Sequence, residues 1–182
     1  MKKYYLLLLL ISSTFVFGQE NVKGLYLGLQ SSIPNSAFGL TAAIYNQDYI
    51  SYYISVGTNY LKPDNIYSDI NFDKAVNHYS DIPLNEKKYI YYIKLGLAKR
   101  IYKIFGLKLG VAFSTKEKYQ NFFDKDKVFG NNGSYYILKE KASFVGLDLS
   151  VQTFYKNFIL DVGADSQPGG IVVGISYIIQ GW

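Results

Sequence analysis

The sequence predicts an all-β protein built from eight antiparallel strands. Three observations lead to this prediction. Apolar residues alternate with small or polar residues along most of the chain, and no stretch beyond the N-terminus shows the 3.6-residue period of an amphipathic helix. Tyrosine and glycine are also abundant, with 19 and 16 residues among 182. Tyrosine at this density suits strands and the boundary between water and a membrane, where the ring is buried and the hydroxyl stays hydrated.

Residues 1–18 predict a secretory signal peptide. Two lysines precede an apolar stretch over about 4–17, and the small Gly18 comes before a polar pair, which is the order found in such signals. The apolar stretch is shorter than the roughly 20 residues that a spanning helix requires, which argues against a membrane anchor. We therefore expect a single mature domain over 19–182. Because the chain contains no cysteine, we expect neither a lipid-anchored form nor a disulfide.

Eight segments of the mature chain alternate with a period of two residues. Alternation of this kind is expected of a strand whose two faces meet different surroundings. The predicted strands lie near 23–31, 36–46, 49–59, 88–101, 104–114, 142–155, 157–165 and 170–180.

The predicted connections differ between the two ends of the strands. Those after strands two, four and six are tight turns flanked by aromatic residues, such as Tyr102 and Phe105. Those after strands three and five are long, covering about 60–87 and 115–141. Tight turns at one end and long loops at the other are the layout of an outer-membrane barrel, with periplasmic turns and extracellular loops. An even number of strands places both termini at the periplasmic end.

The second long connection contains a hairpin signal. Asn131-Asn132-Gly133 predicts a turn with positive φ angles. Strands five and six are therefore expected to continue beyond the bilayer as a ribbon that carries Lys116, Lys118, Lys139 and Lys141.

The contents of the two strand faces distinguish a membrane barrel from a soluble sandwich. One face is almost wholly apolar, as at Leu107, Leu109 and Val111, and an eight-stranded barrel is too narrow to hold so many large side chains inside. These residues must face lipid. The other face is rich in glycine and serine, as at Gly106 and Gly110, and small residues suit a narrow interior. The sequence therefore predicts an eight-stranded transmembrane β-barrel in the outer membrane.

Six charged residues fall on the face that is predicted to line the lumen. Three are cations and three are carboxylates, so they can neutralise one another, as buried charges require. Counted from the tight turns, Lys108 is predicted to lie at the height of Asp161. Lys94 is predicted to lie nearer to Asp148 and Asp165. We interpret the set as a structural network; the alternative is a proton or ion path, for which eight strands leave little room. The six residues are Lys94, Arg100, Lys108, Asp148, Asp161 and Asp165.

One stretch, "NHYSD" at 77–81, raises the question of catalysis. His78 and Ser80 are two residues apart, so in a strand they would share a face and place a base beside a nucleophile. Lipid A deacylases are small outer-membrane barrels with a His-x-Ser motif, which this stretch resembles. The resemblance would make His78 the base and Ser80 the nucleophile. The stretch lies in a predicted loop, however, so we expect no catalytic residue and no enzymatic activity.

The remaining features argue against several other classes of protein. Asp124 and Asp126 are interleaved with lysines, and the acidic residue that a calcium loop needs at its twelfth position is missing. The sequence contains no phosphate-binding loop, zinc-ligand spacing or nucleotide fingerprint, so we expect no cofactor and no metal. The formal charge of +5 is spread along the chain without a basic block, which argues against nucleic acid as a partner.

The strands resemble those of small outer-membrane β-barrel proteins of Gram-negative bacteria. The resemblance rests on "LGLAKRIYKIFGLKLGVAFS" (95–114) and "DVGADSQPGGIVVGISYII" (161–179), and the "FGQE" junction and the last hairpin look most like those of the Bacteroidota. It implies folding by the barrel-assembly machinery. That family usually ends on an aromatic residue in phase with the lipid-facing side chains. Here Trp182 is out of phase, so Tyr177 is the alternative assembly signal.

The resemblance implies a location and no shared activity, because a fold does not determine a function. We expect outer-membrane lipid and lipopolysaccharide as partners, and a structural, adhesive or surface-binding role for the extracellular loops. Two alternatives remain open at the level of sequence. One is a lipid A-modifying enzyme that uses His78 and Ser80. The other is an accessory component of an envelope secretion complex, whose partner the sequence does not indicate.

Overall fold

The computed structural model describes residues 24–45, 50–59, 62–79, 81–129 and 133–180. Within these residues the chain forms a closed barrel of antiparallel strands in sequential order, in which the last strand pairs with the first. The predicted all-β, eight-stranded fold is confirmed. The predicted signal peptide, Ser80, the Asn131-Asn132 part of the hairpin signal and Trp182 lie outside the described residues.

The strand boundaries follow the predicted ones closely for five of the strands and poorly for the three central strands. A short helix that the sequence did not predict, α1 (Phe72–Asn77), lies between β3 and β4; the side chain of Asn71 caps it by accepting a hydrogen bond from the Lys74 amide at 2.8 Å. No helix in the described part of the chain is long and apolar enough to cross a membrane. The strands are β1 (Gly24–Pro34), β2 (Ala37–Tyr45), β3 (Ile50–Thr58), β4 (Ile82–Tyr102), β5 (Phe105–Phe123), β6 (Ser134–Tyr155), β7 (Phe158–Asp165) and β8 (Gly170–Gln180).

The barrel is apolar on the outside and closely filled on the inside. Leu107, Leu109 and Val111 of β5 are 45, 55 and 38% exposed, whereas Lys108 and Gly110 between them are buried. The same alternation of exposed apolar and buried residues recurs in the other strands, so a belt of Leu, Ile, Val and Phe surrounds the barrel. A closed ring of strands satisfies its backbone hydrogen bonds internally, as a structure in lipid must. The outward face therefore contacts the bilayer.

Glycines in the barrel wall make room for tyrosine rings in the lumen. Tyr53 and Tyr92 point inward and are 4 and 2% exposed. A Cβ atom at Gly39 or Gly57 would overlap the Tyr92 hydroxyl, and one at Gly110 would overlap the Tyr53 hydroxyl. The small residues that the sequence places on the inner face are thus required by large neighbours across the lumen, and not only by the curvature of the wall.

Three strands are far longer than the bilayer requires. β4, β5 and β6 have 21, 19 and 22 residues, whereas a membrane-spanning strand needs roughly 9–11 residues. β3 ends opposite Tyr91, and beyond this level β4, β5 and β6 continue as a three-stranded sheet. We call this sheet the extension and define it as residues 82–90, 116–123 and 134–142. The predicted loop 115–141 is therefore mostly strand, and β4 joins the ribbon that was predicted for strands five and six.

The lipid-facing belt predicts an asymmetric response to substitution. We expect Leu109→Arg to lower the free energy of unfolding by about 2–4 kcal/mol, because Leu109 lies at the centre of the apolar run of β5 and would place a charge in hydrocarbon. Ser150→Ala is the matched lumen control. The Ser150 hydroxyl is buried and has no hydrogen-bond partner among the described residues, so its removal should cost little. Urea unfolding in lipid vesicles measures the free energy of unfolding of both variants. An equal loss at the two sites would show that the faces are assigned wrongly.

Candidate functional site

Asp148 is the centre of a buried charge network in the lumen. Its carboxylate accepts a hydrogen bond from the Tyr53 hydroxyl at 2.7 Å and one from Lys94 Nζ at 3.3 Å. Lys108 Nζ lies 3.9 Å from the same carboxylate. All four side chains are buried. One carboxylate thus neutralises part of the charge of two lysines on neighbouring strands, β4 and β5.

Lys94 connects this centre to the extracellular end of the barrel. Its Nζ also lies 2.7 Å from Asp165 at the end of β7, and Asp165 accepts the Gly169 amide at 2.9 Å. Tyrosine rings complete the surroundings of both lysines, with Lys94 Nζ 5.1 Å from the centre of the Tyr92 ring. A cation over an aromatic face is stabilised by the ring quadrupole, and more so where water is excluded.

The structure pairs Lys108 with Asp148 rather than with Asp161. Lys108 stands directly opposite Ser150, so Asp148 is a diagonal neighbour on the adjacent strand, whereas Asp161 lies two strands away on β7. Asp161 instead accepts a hydrogen bond from Gln152 Nε2 at 2.8 Å. Height counted from the turns is a poor guide because it leaves out how far apart the strands lie around the barrel.

Arg100 lies apart from the carboxylates. Its guanidinium donates to the Tyr45 hydroxyl at 3.2 Å and to the carbonyl of Lys103, and it lies over the Phe154 ring at 4.7 Å. Five of the six predicted lumen residues therefore belong to the region around Asp148, and Arg100 belongs to the aromatic cluster at the periplasmic end. An arrangement in which every carboxylate has a donor is the one expected of a structural network.

Two short turns cover the extracellular mouth of the barrel. Asn35 in the β1–β2 turn donates to the carbonyl of Pro168 at 3.0 Å and to that of Gly169 in the β7–β8 turn. Ser114 on β5 donates to the side-chain oxygen of Gln167 at 3.3 Å. The floor of any site above the barrel is therefore polar and is tied to the lumen network through Asp165.

The inner face of the extension continues the lumen-facing side of β4, β5 and β6. Glu86 lies on this face, and its two carboxylate oxygens are 2.9 Å from Lys118 Nζ and 2.9 Å from Lys139 Nζ. The hydrogen bonds from Lys139 and Lys118 hold the pKa of the Glu86 carboxyl below its ordinary value. The negative charge of Glu86 is therefore fully engaged within the sheet.

The outer face of the extension carries a second, more buried acidic centre. Glu117 is 3% exposed; it accepts a hydrogen bond from the Tyr119 hydroxyl at 2.6 Å and lies 2.7 Å from Lys141 Nζ. Lys62 Nζ lies 3.8 Å away. Burial raises the pKa of the Glu117 carboxyl, but the hydrogen bonds from Lys141 and Tyr119 outweigh it and bring the pKa below the ordinary value.

The β3–β4 connection contacts both faces of the extension. Lys62 reaches Glu117 on the outer face, while α1 and the residues before it pack on the inner face. The backbone of Tyr136 on β6 exchanges two hydrogen bonds of 3.0 Å with the connection, at Asn65 and Tyr67. This wrapping gives the extension a core of its own outside the barrel. The core residues are Ile70, Ala75, Phe122, Tyr135 and Ile137.

The described residues include only the histidine of the His-x-Ser motif. His78 is an exposed residue at the end of α1, and its ring packs edge-on against Tyr79 with the ring centres 4.8 Å apart. Ser80 lies outside the described residues. In the described ranges, no three His, Cys, Asp or Glu side chains lie close enough together to hold a metal ion.

No protein-family profile and no curated protein matches this chain. Among solved structures, it is similar to Ail, the attachment invasion locus protein of Yersinia pestis, at 11% identity and a TM-score of 0.48, over 86% of this chain and 94% of that one. It is similar to Neisserial surface protein A at 13% identity and a TM-score of 0.45, over 86 and 97% of the two chains. The N-terminal β-barrel domain of Pseudomonas aeruginosa OprF matches at 11% identity and a TM-score of 0.43, over 88% of this chain and 100% of that domain.

The closed antiparallel ring, its apolar outer belt and its filled polar lumen define the class of protein. It is an eight-stranded β-barrel of the outer membrane, with its tight turns on the periplasmic side. The Bacteroidota type suggested by its hairpin sequence stays a prediction.

The lumen network predicts which carboxylate is coupled to Lys108. In double-mutant cycles we expect Lys108→Met and Asp148→Asn to deviate from additivity by about 0.5–3 kcal/mol in the free energy of unfolding, because the two side chains share one buried interaction. Lys108→Met combined with Asp161→Asn is the control and should lie closer to additivity. A larger coupling to Asp161 than to Asp148 would contradict the pairing.

Proposed function

We propose that this protein is a surface-binding, adhesive protein, and that the extension is its binding element. The observation that supports this most directly is that the extension projects beyond the bilayer as an ordered sheet with its own core. The barrel does not need the extension in order to span the membrane. A sheet that is stabilised independently of the barrel presents a fixed surface to molecules outside the cell, and rigid elements position binding groups more accurately than mobile loops.

β6 has an open strand edge that begins in the extension and continues towards the membrane. β7 begins opposite Asp148, and within the described residues no strand pairs with 138–146 on that side. The amide and carbonyl of Leu147 point towards this side, because they bond to Ser166. Since backbone groups of alternate residues in a strand point the same way, those of Val145 and Ser143 point there too.

An open edge of this kind is suited to binding an extended segment of another protein. Exposed edges are templates for strand addition, and natural proteins usually blunt them by pairing, bulges or charge. Backbone hydrogen bonds to the edge would supply affinity, and the side chains beside it would supply specificity. The bulge opposite Lys118–Tyr119 limits the straight part of the edge to the residues nearer the membrane.

The edge predicts different effects for two substitutions at one residue. Ser143→Pro should abolish strand addition, because it removes an outward-pointing amide while leaving the β5 ladder in place. Ser143→Ala is the matched control. It removes the hydroxyl, which contacts Thr115 at 3.1 Å, but keeps the amide. The measurement is selection of a displayed peptide library on the protein in nanodiscs; peptides that bind the wild type and Ser143→Ala but not Ser143→Pro are expected. Equal binding to both variants, or no enriched peptides, would contradict the proposal.

We further propose that the protein is not an enzyme. This is supported by the exposed position of His78 at the end of a short helix, where nothing in the described residues orients its ring as a catalytic base. Changing both His78 and Ser80 to alanine should therefore leave the lipid A acylation pattern unaltered. Mass spectrometry of lipid A from cells that express the wild type or the double variant measures this. Loss of an acyl chain with the wild type alone would make His78 the base and Ser80 the nucleophile.

A further inference from the structure

A cleft with a cationic wall lies between the inner face of the extension and the turns that cover the barrel. One part has a volume of about 310 Å³ and is lined by Lys88, Lys116 and Lys118 together with apolar side chains of β4 and β6. A larger, adjoining part of about 940 Å³ shares Asn35 and Lys88 with it. The cleft is therefore large enough for a small molecule and opens above the mouth of the barrel.

The three lysines are neighbours on one face of the sheet. Lys88 stands directly opposite Lys118 in the β4–β5 ladder, and Lys116 lies two residues from Lys118 on the same side of β5. Like charges opposite each other in a sheet are destabilising. The repulsion between these lysines is unfavourable for folding. A bound ligand of opposite charge would offset that repulsion.

The carboxylates near the cleft neutralise only one of the three lysines. Lys118 is held by Glu86 at 2.9 Å and stands opposite Glu140, and both carboxylates line the cleft. Glu117 also borders the cleft, but its carboxylate is 2.7 Å from Lys141 on the outer face. Lys88 and Lys116 form no ion pair with any described carboxylate, and Lys116 Nζ lies 5.1 Å from the centre of the Phe144 ring. Lys88 and Lys116 are therefore the two lysines of this part of the cleft that have no ion-pair partner among the described residues.

We propose that Lys88 and Lys116 form a binding site for the phosphate monoester group of a soluble extracellular molecule. A phosphate monoester carries a charge of about −1.5 to −2 at neutral pH and so matches two lysines, whereas a sulfate ester or a carboxylate carries about half as much. The lysines face the space above the barrel. The lipid headgroups that surround the barrel would instead meet the outer face, where the exposed lysines are Lys62 and Lys141. The site lies on the inner face of the sheet and not at the open edge of β6, so the proposal does not depend on that edge.

The test uses the full barrel in nanodiscs of uncharged phosphatidylcholine at low ionic strength. Lysine amines are reductively methylated with ¹³C, and their signals are assigned with Lys88→Arg and Lys116→Arg, which keep the charge. Glucose 6-phosphate is then titrated, with glucose 6-sulfate as the matched control ligand. We expect the ¹³C-methyl chemical shifts of Lys88 and Lys116 to change saturably with glucose 6-phosphate. We expect glucose 6-sulfate to bind more weakly.

Charge-removing variants supply the second arm. Lys88→Gln and Lys116→Gln should each weaken glucose 6-phosphate binding by about two- to five-fold, as expected for one partly exposed ion pair. Lys125→Gln removes the same charge from an exposed position outside the cleft and should leave binding unchanged. The gel mobility of unheated samples checks that each barrel is folded.

Three results would overturn the proposal. The first is no saturable shift at Lys88 and Lys116 in the wild type. The second is an equal shift of every lysine, which would indicate an unspecific charge effect. The third is a response of Lys88 and Lys116 to lipid A placed in the nanodisc but not to glucose 6-phosphate, which would show that the anion comes from the membrane leaflet.

Discussion

The structure depends on one constraint: in hydrocarbon, every backbone amide and carbonyl of the spanning segments must find its partner within the protein. Closing the sheet from β8 to β1 meets it. Eight strands enclose a lumen that is only wide enough to be filled by side chains, so glycines face tyrosines across it. The same narrowness forces buried charges to share partners, and Asp148 therefore contacts Tyr53, Lys94 and Lys108 together.

Above the bilayer the constraint no longer applies, and the residue composition of the same strands changes. β4, β5 and β6 carry charged residues on both faces of the extension, and each face has its own carboxylate, Glu86 or Glu117, held by lysines. An edge that would be intolerable in lipid is permitted where water can solvate it. The two features that we propose for binding, the open edge of β6 and the cationic cleft, both lie in this region and both follow from the extra length of three strands.

The sequence predicted the barrel because lipid imposes a strict period of two on every spanning strand. The same signal is absent from the extension. The "NEK" stretch at 85–87 that includes Glu86 was predicted as a loop because both of its faces are polar, yet it is strand in β4. The pairing of Lys108 with Asp148 needed the distance between strands around the barrel, which the sequence does not contain. The short helix α1 has too few residues for a period to be detected, and its packing on Phe122 and Tyr135 depends on contacts distant in sequence.

The most direct test of the account is the side of the membrane on which each end of the barrel lies. The chain has no cysteine, so single cysteines can be introduced without interference. We choose Lys125→Cys at the exposed tip between β5 and β6, and Lys103→Cys in the tight turn between β4 and β5. A membrane-impermeant maleimide should label the tip variant on intact cells, and the turn variant only after the outer membrane is permeabilised. Labelling of the turn but not the tip on intact cells would contradict the orientation and both binding proposals.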